Sequence, residues 1–284
     1  MEFKSPGTIS KAKNISLVDA MKQPEWESQW NTLFAQYAAK YPDLAAEYTR
    51  RFNGTLPDGW KDALPRYTPE DKPRATRQFS EICLNAAAGV IPELLGGSAD
   101  LTPSNLTKLT MSGDFQKDTP EGRYFRFGVR EHGMAAICNG IFAHGGVRPF
   151  CATFYNFIGY ALGAVRLSAL SRMGVIYIAT HDSIFLGEDG PTHQPIEHLA
   201  SLRAMPNLSV WRPCDAFETA CAWLAAIERQ QGPTSLVLTR QALPQQPRDL
   251  QAGQQLQKIY LRVQLVLGRV HICQLGNLRP RNAP

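Results

Sequence analysis

The segment Val175–Thr180 reads VIYIAT, an apolar and β-branched run that ends abruptly at a polar loop. A short run of this kind is typical of a strand that is buried on both faces of a sheet. The loop that follows, residues 181–195, reads HDSIFLGEDGPTHQP and holds two histidines and three carboxylates. Titratable groups gathered where a strand ends indicate a candidate site, and the alternative is a polar loop with capping duties.

The same pattern extends to both sides of this segment. Further strands are predicted at Leu94–Ser98, Tyr124–Phe127, Pro149–Thr153, Ser209–Arg212 and Ser235–Thr239, with helical patterns between them at Arg130–His144, Asn156–Arg172, Pro195–Met205 and Ala216–Arg229. Strands that alternate with helices of this length indicate βαβ units. We therefore expect an α/β fold, a doubly wound, mostly parallel sheet of about six strands with helices on both faces. Ligands bind such sheets past the carboxyl ends of the strands.

The chain divides into three predicted segments. Residues 1–73 read as a helical lead-in and linker, residues 74–246 as the α/β domain, and residues 247–284 as a basic tail. The net charge of +5 belongs to the tail, which carries six basic residues against one acid. Its basic residues are scattered with one aromatic among them, which disfavours a nucleic-acid partner. We expect the tail to be a solvated or disordered end.

Cysteine usage and hydropathy favour an intracellular protein. None of the six cysteines forms a Cys-x-x-Cys pair, and no His/Cys cluster has the spacing of a metal site. We therefore expect reduced thiols and no metal ligands in this chain. The start of the sequence does not resemble a signal peptide, and no apolar run is long enough to span a membrane. The expected location is cytoplasmic, without a membrane partner.

Three groups of residues outside the histidine loop could carry chemistry. Glu131 falls in the first turn of a helix, where a carboxylate either stabilises the helix dipole or serves as a buried acid. Aromatic residues recur every third position at Phe154, Phe157 and Tyr160. That spacing is typical of a core, and the alternative is a wall for a flat ring. Two arginines and a serine at element ends are either solvated or a phosphate site (Arg77, Ser104 and Arg240).

Several blocks of the sequence closely resemble transketolase. They are Gly96–Asn105 (GGSADLTPSN), Gly128–Gly133 (GVREHG), Thr180–Ser183 (THDS), Gly187–Pro195 (GEDGPTHQP) and the pair Arg212-Pro213. They stand in the order and spacing of that family and cover roughly Trp30 to Gln246. The resemblance implies a pyrimidine-binding domain and the transfer of a two-carbon ketol unit between sugar phosphates. It also implies thiamine diphosphate as cofactor and a Mg or Ca ion.

The resemblance assigns cofactor contacts to four residues. Glu131 matches the acid that hydrogen-bonds the aminopyrimidine ring and shares a proton with it. The aromatic pocket for that ring corresponds to Phe154, Phe157 and Tyr160.

Substrate contacts follow from the same resemblance. His181, Asp189 and His193 match residues that contact substrate hydroxyls and assist proton transfers. Asp100 matches a further acid that contacts substrate. The site for the substrate phosphate corresponds to Arg77, Ser104 and Arg240.

One departure from the family concerns the metal and the diphosphate. The Gly-Asp-Gly motif and distant Asn that hold them are not found in the sequence. The chain is therefore expected to be inactive alone and to work as a homo-oligomer or with a partner that supplies the diphosphate-binding domain. Two alternatives remain open: a non-catalytic module that pairs with a full transketolase, and a subunit of another thiamine-dependent enzyme that resembles the beta subunit of 2-oxo acid dehydrogenases.

Overall fold

A computed structural model describes residues 25–181 and 186–246 of the chain. Its contacts divide the chain into two units, which meet in sequence between Thr55 and Leu56. The predicted basic tail lies outside the described residues, as does the start of the predicted lead-in. The predicted segment boundaries at residues 73 and 246 stay predictions.

The first unit contains two helices, α1 over residues 25–40 and α2 over Pro42–Phe52. Pro42 stands in the first turn of α2, where its missing N–H costs no hydrogen bond. Aromatic rings pack between the two helices: the centroids of Phe34 and Tyr48 lie 5.3 Å apart, and those of Trp30 and Tyr48 lie 6.3 Å apart. Local aromatic contacts therefore join these helices.

The second unit is built on a six-stranded sheet. Its strands are β2 (Leu94–Ser98), β3 (Tyr124–Arg126), β4 (Arg148–Thr153), β5 (Ile176–Thr180), β6 (Ser209–Trp211) and β7 (Thr234–Leu238). They lie in the order β3-β2-β4-β5-β7-β6, and every neighbouring pair is parallel. A separate antiparallel pair joins β1 (Arg74–Ala75) to β8 (Ala242–Leu243). The central strands β4, β5 and β7 are buried along their whole length, as expected for strands covered on both faces.

Helices cover both faces of this sheet. They are α3 (Thr76–Val90), the short α4 (Thr102–Asn105), α5 (Glu131–His144), α6 (Ile158–Leu170), α7 (His198–Ala204) and α8 (Ala216–Glu228). One core cluster joins α3 and α8 to the sheet, with Leu84 and Trp223 at its centre. The other joins α5 and α6 to the opposite face, through residues such as Met134 and Val165.

The predicted fold class is confirmed. All six predicted strands are present, and their ends agree with the prediction to within one residue. Helix α7 begins at His198 rather than at Pro195: a short 3-10 turn covers Pro191–His193, and residues 194–197 are not helical. The helix α3 was not singled out by the sequence patterns. Among the described residues, no helix combines the length and hydropathy that crossing a bilayer requires.

The second strand shows why two glycines stand together at its end. A Cβ on Gly96 would lie 1.9 Å from the carbonyl oxygen of Phe150 on β4, and one on Gly97 would lie 1.7 Å from that of Phe125 on β3. Any larger residue would push the neighbouring strands away. These glycines let β2 sit tightly between β3 and β4, at the edge where polar side chains gather.

Candidate active site

The predicted site residues lie at the carboxyl ends of the strands. His181 follows β5, Phe154 follows β4 and Arg240 comes shortly after β7. Glu131 begins α5 and Arg77 stands in the first turn of α3, so these helices point their N-termini at the same edge. Asp189 and His193 lie in two 3-10 turns beyond β5. One edge of the sheet therefore collects residues that are up to 163 positions apart in sequence.

Glu131 is a buried acid as well as the first residue of a helix. The residue is 8% exposed, and its Oε1 accepts a hydrogen bond of 3.4 Å from the Thr153 hydroxyl at the end of β4. The N-terminus of α5 favours the negative charge. A tight turn precedes Glu131. In this turn Gly128 has φ of 70°, and the Arg130 N–H donates to the Gly128 carbonyl. Glu131 is thus both a carboxylate at the start of a helix and a buried acid, which the sequence analysis gave as alternatives.

The aromatic residues that follow Thr153, the hydrogen-bond partner of Glu131, form a continuous set of rings rather than a closed core. Centroids of Phe154 and Phe157 lie 5.6 Å apart, and those of Phe157 and Tyr160 lie 6.0 Å apart. Phe154 and Phe157 are half-buried, whereas Tyr160 is 69% exposed. A ring set that stays open on one side can stack a flat ligand. We call Glu131 and these three aromatic residues the ring end of the site.

Two histidines join the ring end to a set of charged residues. The His181 ring lies 4.9 Å from Phe154, and the His193 ring lies 4.9 Å from Phe154 and 6.2 Å from His181. His193 Nδ1 also lies 2.9 Å from the Thr192 hydroxyl. We call Arg77, His181, Asp189 and Arg240 the charged end of the site.

The hydrogen bond between Arg77 and His181 fixes the histidine tautomer. Arg77 Nη1 lies 3.2 Å from His181 Nδ1 and 2.7 Å from the Ser104 carbonyl oxygen. Because a guanidinium can only donate, Nδ1 must accept, and a neutral His181 carries its proton on Nε2. That nitrogen faces Asp189 Oδ2 at 3.7 Å, beyond hydrogen-bond distance. His181 is therefore oriented as a hydrogen-bond donor.

Burial and neighbouring cations keep His181 neutral. Desolvation first, and then the charges of Arg77 and Arg240, lower the pKa of His181 to about 4. Burial likewise lowers the pKa of Arg77, with Arg240 as the second cause. Geometry links the two arginines through shared neighbours: Arg77 contacts His181, and Asp189 Oδ2 lies 3.7 Å from His181 Nε2 and 2.9 Å from Arg240 Nη1.

Arg240 is already paired with two carboxylates. Its Nη1 lies 2.9 Å from Asp189 Oδ2 and 3.0 Å from Glu188 Oε1. Glu188 is an exposed residue that the sequence analysis did not single out. The one feature of the sequence that could have pointed to Glu188 is its place directly before Asp189. A phosphate arriving at Arg240 has to compete with these two groups, and exposed pairs of this kind are weak.

A buried polar bridge, also missed by the sequence analysis, ties two of the strand ends together. The Ser98 hydroxyl donates to Asn105 Oδ1 at 2.6 Å, and Asn105 Nδ2 donates to Thr180 Oγ1 at 2.7 Å. All three residues are nearly or fully buried. The bridge joins the ends of β2 and β5 through α4. The sequence feature that could have pointed to this bridge is that Ser98 and Thr180 are polar residues at the ends of β2 and β5.

Two predicted substrate residues stand apart from these contacts. Asp100 is exposed with φ of 61°, a conformation that Asp tolerates, and it makes no hydrogen bond or ion pair within the described residues. Ser104 contributes its backbone carbonyl to Arg77, and its hydroxyl makes no hydrogen bond in the described part of the chain. The structure thus brings Ser104 to the charged end through its backbone alone.

One cluster in the described residues has potential metal ligands: Cys214, Asp215 and Glu218. Its carboxylates already serve the start of α8, where Asp215 Oδ1 accepts from Glu218 N–H and Glu218 Oε2 accepts from Cys214 N–H. Hydrogen bonds of this kind are those of a helix N-cap. The cluster is therefore explained without a metal.

Comparison with known proteins gives a consistent result. The family model for the pyrimidine-binding domain of transketolase matches residues 72–246. Chloroplastic transketolase from Zea mays is 60% identical over 222 residues, which are 78% of this chain and 33% of the maize protein. Transketolase from Scheffersomyces stipitis is 53% identical over 249 residues, 86% of this chain and 36% of the yeast protein. The chain thus spans about a third of the length of these relatives.

Solved structures show the same similarity. Transketolase from Pichia stipitis in complex with sedoheptulose 7-phosphate superposes with a TM-score of 0.76 at 52% identity, over 86% of this chain and 37% of that one. An inactive β4 tetramer of a split-gene transketolase has a TM-score of 0.50 at 31% identity, over 63% of this chain and 56% of that one.

Proposed function

This chain belongs to the transketolase family, and on that premise we propose that it binds the aminopyrimidine half of thiamine diphosphate and takes part in ketol transfer from a ketose phosphate to an aldose phosphate. The observation that carries the proposal is the convergence of the ring end and the charged end at one edge of the sheet. The match to transketolase disfavours the alternative of a 2-oxo acid dehydrogenase subunit.

The ring end fits the pyrimidine of the cofactor. A flat ring can stack on the half-open set formed by Phe154, Phe157 and Tyr160, and the nearby Glu131 carboxylate can hydrogen-bond a ring nitrogen. Because Glu131 is buried and bonded to Thr153, its carboxylate is held in place for that contact. When bound, thiamine diphosphate supplies the electron sink that carbon–carbon bond cleavage needs.

The charged end fits a sugar phosphate. Arg77 and Arg240 provide guanidinium groups that suit a phosphate dianion. The neutral His181 presents its Nε2 proton to a substrate oxygen, since Arg77 occupies its other nitrogen. Asp189 stands opposite as an acceptor for a hydroxyl. His193, in contact with the Phe154 ring, lies between the two ends and is placed to assist proton transfer.

The metal of the family finds no fitting ligands among the described residues. The only cluster of suitable groups there is Cys214, Asp215 and Glu218, which caps α8. We propose instead that the groups for the metal and the diphosphate come from outside residues 25–246, from a longer chain or from a partner subunit.

A second candidate function is a module that pairs with a transketolase without turning over substrate. Exposed apolar side chains on α5 and α6 favour it: Ile137, Leu167 and Leu170 are 46%, 52% and 67% exposed. Apolar groups on two adjacent helices indicate a surface for a protein partner.

A cytoplasmic location also stays a prediction, since several relatives are named as chloroplastic.

The test is an assay by complementation. Purified chain is mixed with thiamine diphosphate, magnesium and a pair of sugar phosphates, with and without a polypeptide that carries a transketolase diphosphate-binding domain. We expect turnover only in the mixture, and none when the chain carries Glu131→Gln. Co-elution on size exclusion without turnover would support the pairing module. If the chain neither co-elutes with the partner polypeptide nor supports turnover, both functions are contradicted.

A further inference from the structure

A cavity lies at the opposite edge of the sheet from the candidate active site. Its volume is about 550 Å³. Its walls come from the last turns of α6 and the segment after it, from the segment after α7 and from the residues just after α8, before β5, β6 and β7 begin. This is the amino edge of the parallel strands, so no residue of the ring end or the charged end takes part. The volume falls in the range of small-molecule sites.

The charge of this cavity is entirely positive. Arg166, Arg172 and Arg229 line it, and none of its lining residues is acidic. Neither Arg166 nor Arg172 makes an ion pair or a side-chain hydrogen bond within residues 25–181 and 186–246. A cavity lined by three arginines and no carboxylate has a positive potential, which favours an anionic ligand.

Arg172 has a left-handed backbone conformation, which glycine adopts most readily at the end of a helix. The residue has φ of 56°, in the left-handed region. Its N–H donates to the Ala169 carbonyl at 3.3 Å, and the next N–H, of Met173, donates to Ser168 at 2.9 Å. This is the pattern that ends a helix with glycine at the left-handed residue. An arginine there costs more backbone free energy than glycine would, so Arg172→Gly is compatible with the fold.

Arg229 is held as a fixed wall of the cavity. Its Nη2 donates to the backbone oxygen of Asn207 at 2.9 Å and to Asn207 Oδ1 at 2.7 Å. The amide of Asn207 in turn donates to the carbonyls of Ala169 and Gln231. Burial lowers the pKa of Arg229, and no carboxylate faces it in the described part of the chain. The site is therefore preorganised around an uncompensated cation.

We propose that this cavity is a second anion site, which binds the phosphate group of a small organic phosphate. The phosphate faces Arg166, Arg172 and Arg229, whose forked donors suit its oxygens. The organic part packs on the apolar side of the cavity, where Leu170 and Met205 lie. Such a site lies at the opposite edge of the sheet from the candidate active site and takes its ligand independently of it.

The experiment is calorimetric titration of the whole chain with phenyl phosphate and, separately, with inorganic phosphate. The chain carries Arg240→Ala throughout, which weakens the candidate active site as a competing phosphate site. The informative change is Arg172→Gly, because glycine suits the backbone and the variant stays folded. Arg166→Ala is the second change. Arg66→Gly, at an exposed residue far from the cavity lining in sequence, is the control for lost charge.

Phenyl phosphate is expected to bind more tightly than inorganic phosphate, because its ring meets the apolar side. Arg172→Gly and Arg166→Ala should each weaken binding by about tenfold, the effect of one charge-assisted hydrogen bond. The melting temperature of Arg172→Gly should equal or exceed that of the parent. Affinity that is unchanged in Arg172→Gly, equal losses in Arg66→Gly, or a parent that binds neither compound would overturn the proposal.

Discussion

The ring end and the charged end of the candidate site are assembled from the sequence in different ways. Glu131 and the three aromatic residues come from two neighbouring stretches, the start of α5 and the turn from β4 into α6. Arg77, His181, Asp189 and Arg240 come from the beginning, the middle and the end of the domain. The ring end depends on local turns, whereas the charged end exists only once the sheet is assembled.

This difference has a physical consequence. Groups at the ring end are placed by their own helix N-termini and by one bond to Thr153. Groups at the charged end hold one another, through Arg77 with His181 and Arg240 with Asp189. Changes at the ring end should therefore act on chemistry, while changes at the charged end should also act on stability and its dependence on pH.

The largest effect is expected from Glu131→Gln. The amide keeps the shape of the side chain and loses its ability to exchange a proton, so turnover in the complemented assay should fall by at least about 100-fold. The melting temperature should stay close to that of the parent. Glu121→Gln, at an exposed loop residue, is the matched control. Turnover above a tenth of the parent value would show that the ring end does not act through this carboxylate.

The next effect concerns the pH dependence of stability at the charged end. The pKa of His181 is lowered to about 4, so the unfolded chain takes up a proton between pH 6.5 and 4 that the folded chain does not. The free energy of unfolding should therefore decrease as the pH falls through this range, by on the order of 2 kcal/mol from this residue. Urea unfolding at pH 7 and pH 4.5 measures the loss.

His181→Gln should make that loss smaller, because glutamine does not titrate. The same change at the exposed His144 is the control and should leave the pH dependence as it is. An identical pH dependence in the parent and in His181→Gln would mean that this histidine is not held neutral by its neighbours.

A smaller effect is expected from Arg240→Ala. The change removes one guanidinium from the proposed phosphate contact but leaves Arg77 in place, so KM for the sugar phosphates should rise about tenfold in the complemented assay. The value of kcat should change less than KM, since the ion pairs of Arg240 are with Glu188 and Asp189 and involve no residue of the ring end. Glu188→Gln is the counterpart and should lower KM, because it removes a competing carboxylate. A fall in kcat with constant KM would contradict this division of roles.

The smallest effect on stability is expected from Tyr160→Ala. Tyr160 is 69% exposed, so the free energy of unfolding should change by no more than about 0.5 kcal/mol. Binding of the cofactor should weaken nonetheless, since one wall of the ring end is lost. Tyr160→Phe keeps the ring and is the control for binding, measured by fluorescence titration with thiamine diphosphate. A large loss of stability would assign this residue to the core.

The comparison also shows what could be predicted from the sequence. The strands were predicted because sheets covered on both faces need continuous apolar runs, and Val175–Thr180 is such a run. Glu131 could be placed at a helix start for the same local reasons. The pairing of Arg77 with His181 could not be predicted, because 104 positions separate them and no local rule sets their distance. Asn105 was overlooked because its role depends on a strand that is distant in sequence.

The bridge from Ser98 through Asn105 to Thr180 has a consequence for protein engineering. It crosses from β2 to β5, over the end of β4 that lies between them in the sheet. A chimera that exchanges only one of the two loops at these strand ends would leave a buried amide facing an unmatched group, at a cost of about 1–3 kcal/mol. The two loops must therefore be exchanged together if the buried hydrogen bonds of Asn105 are to be kept.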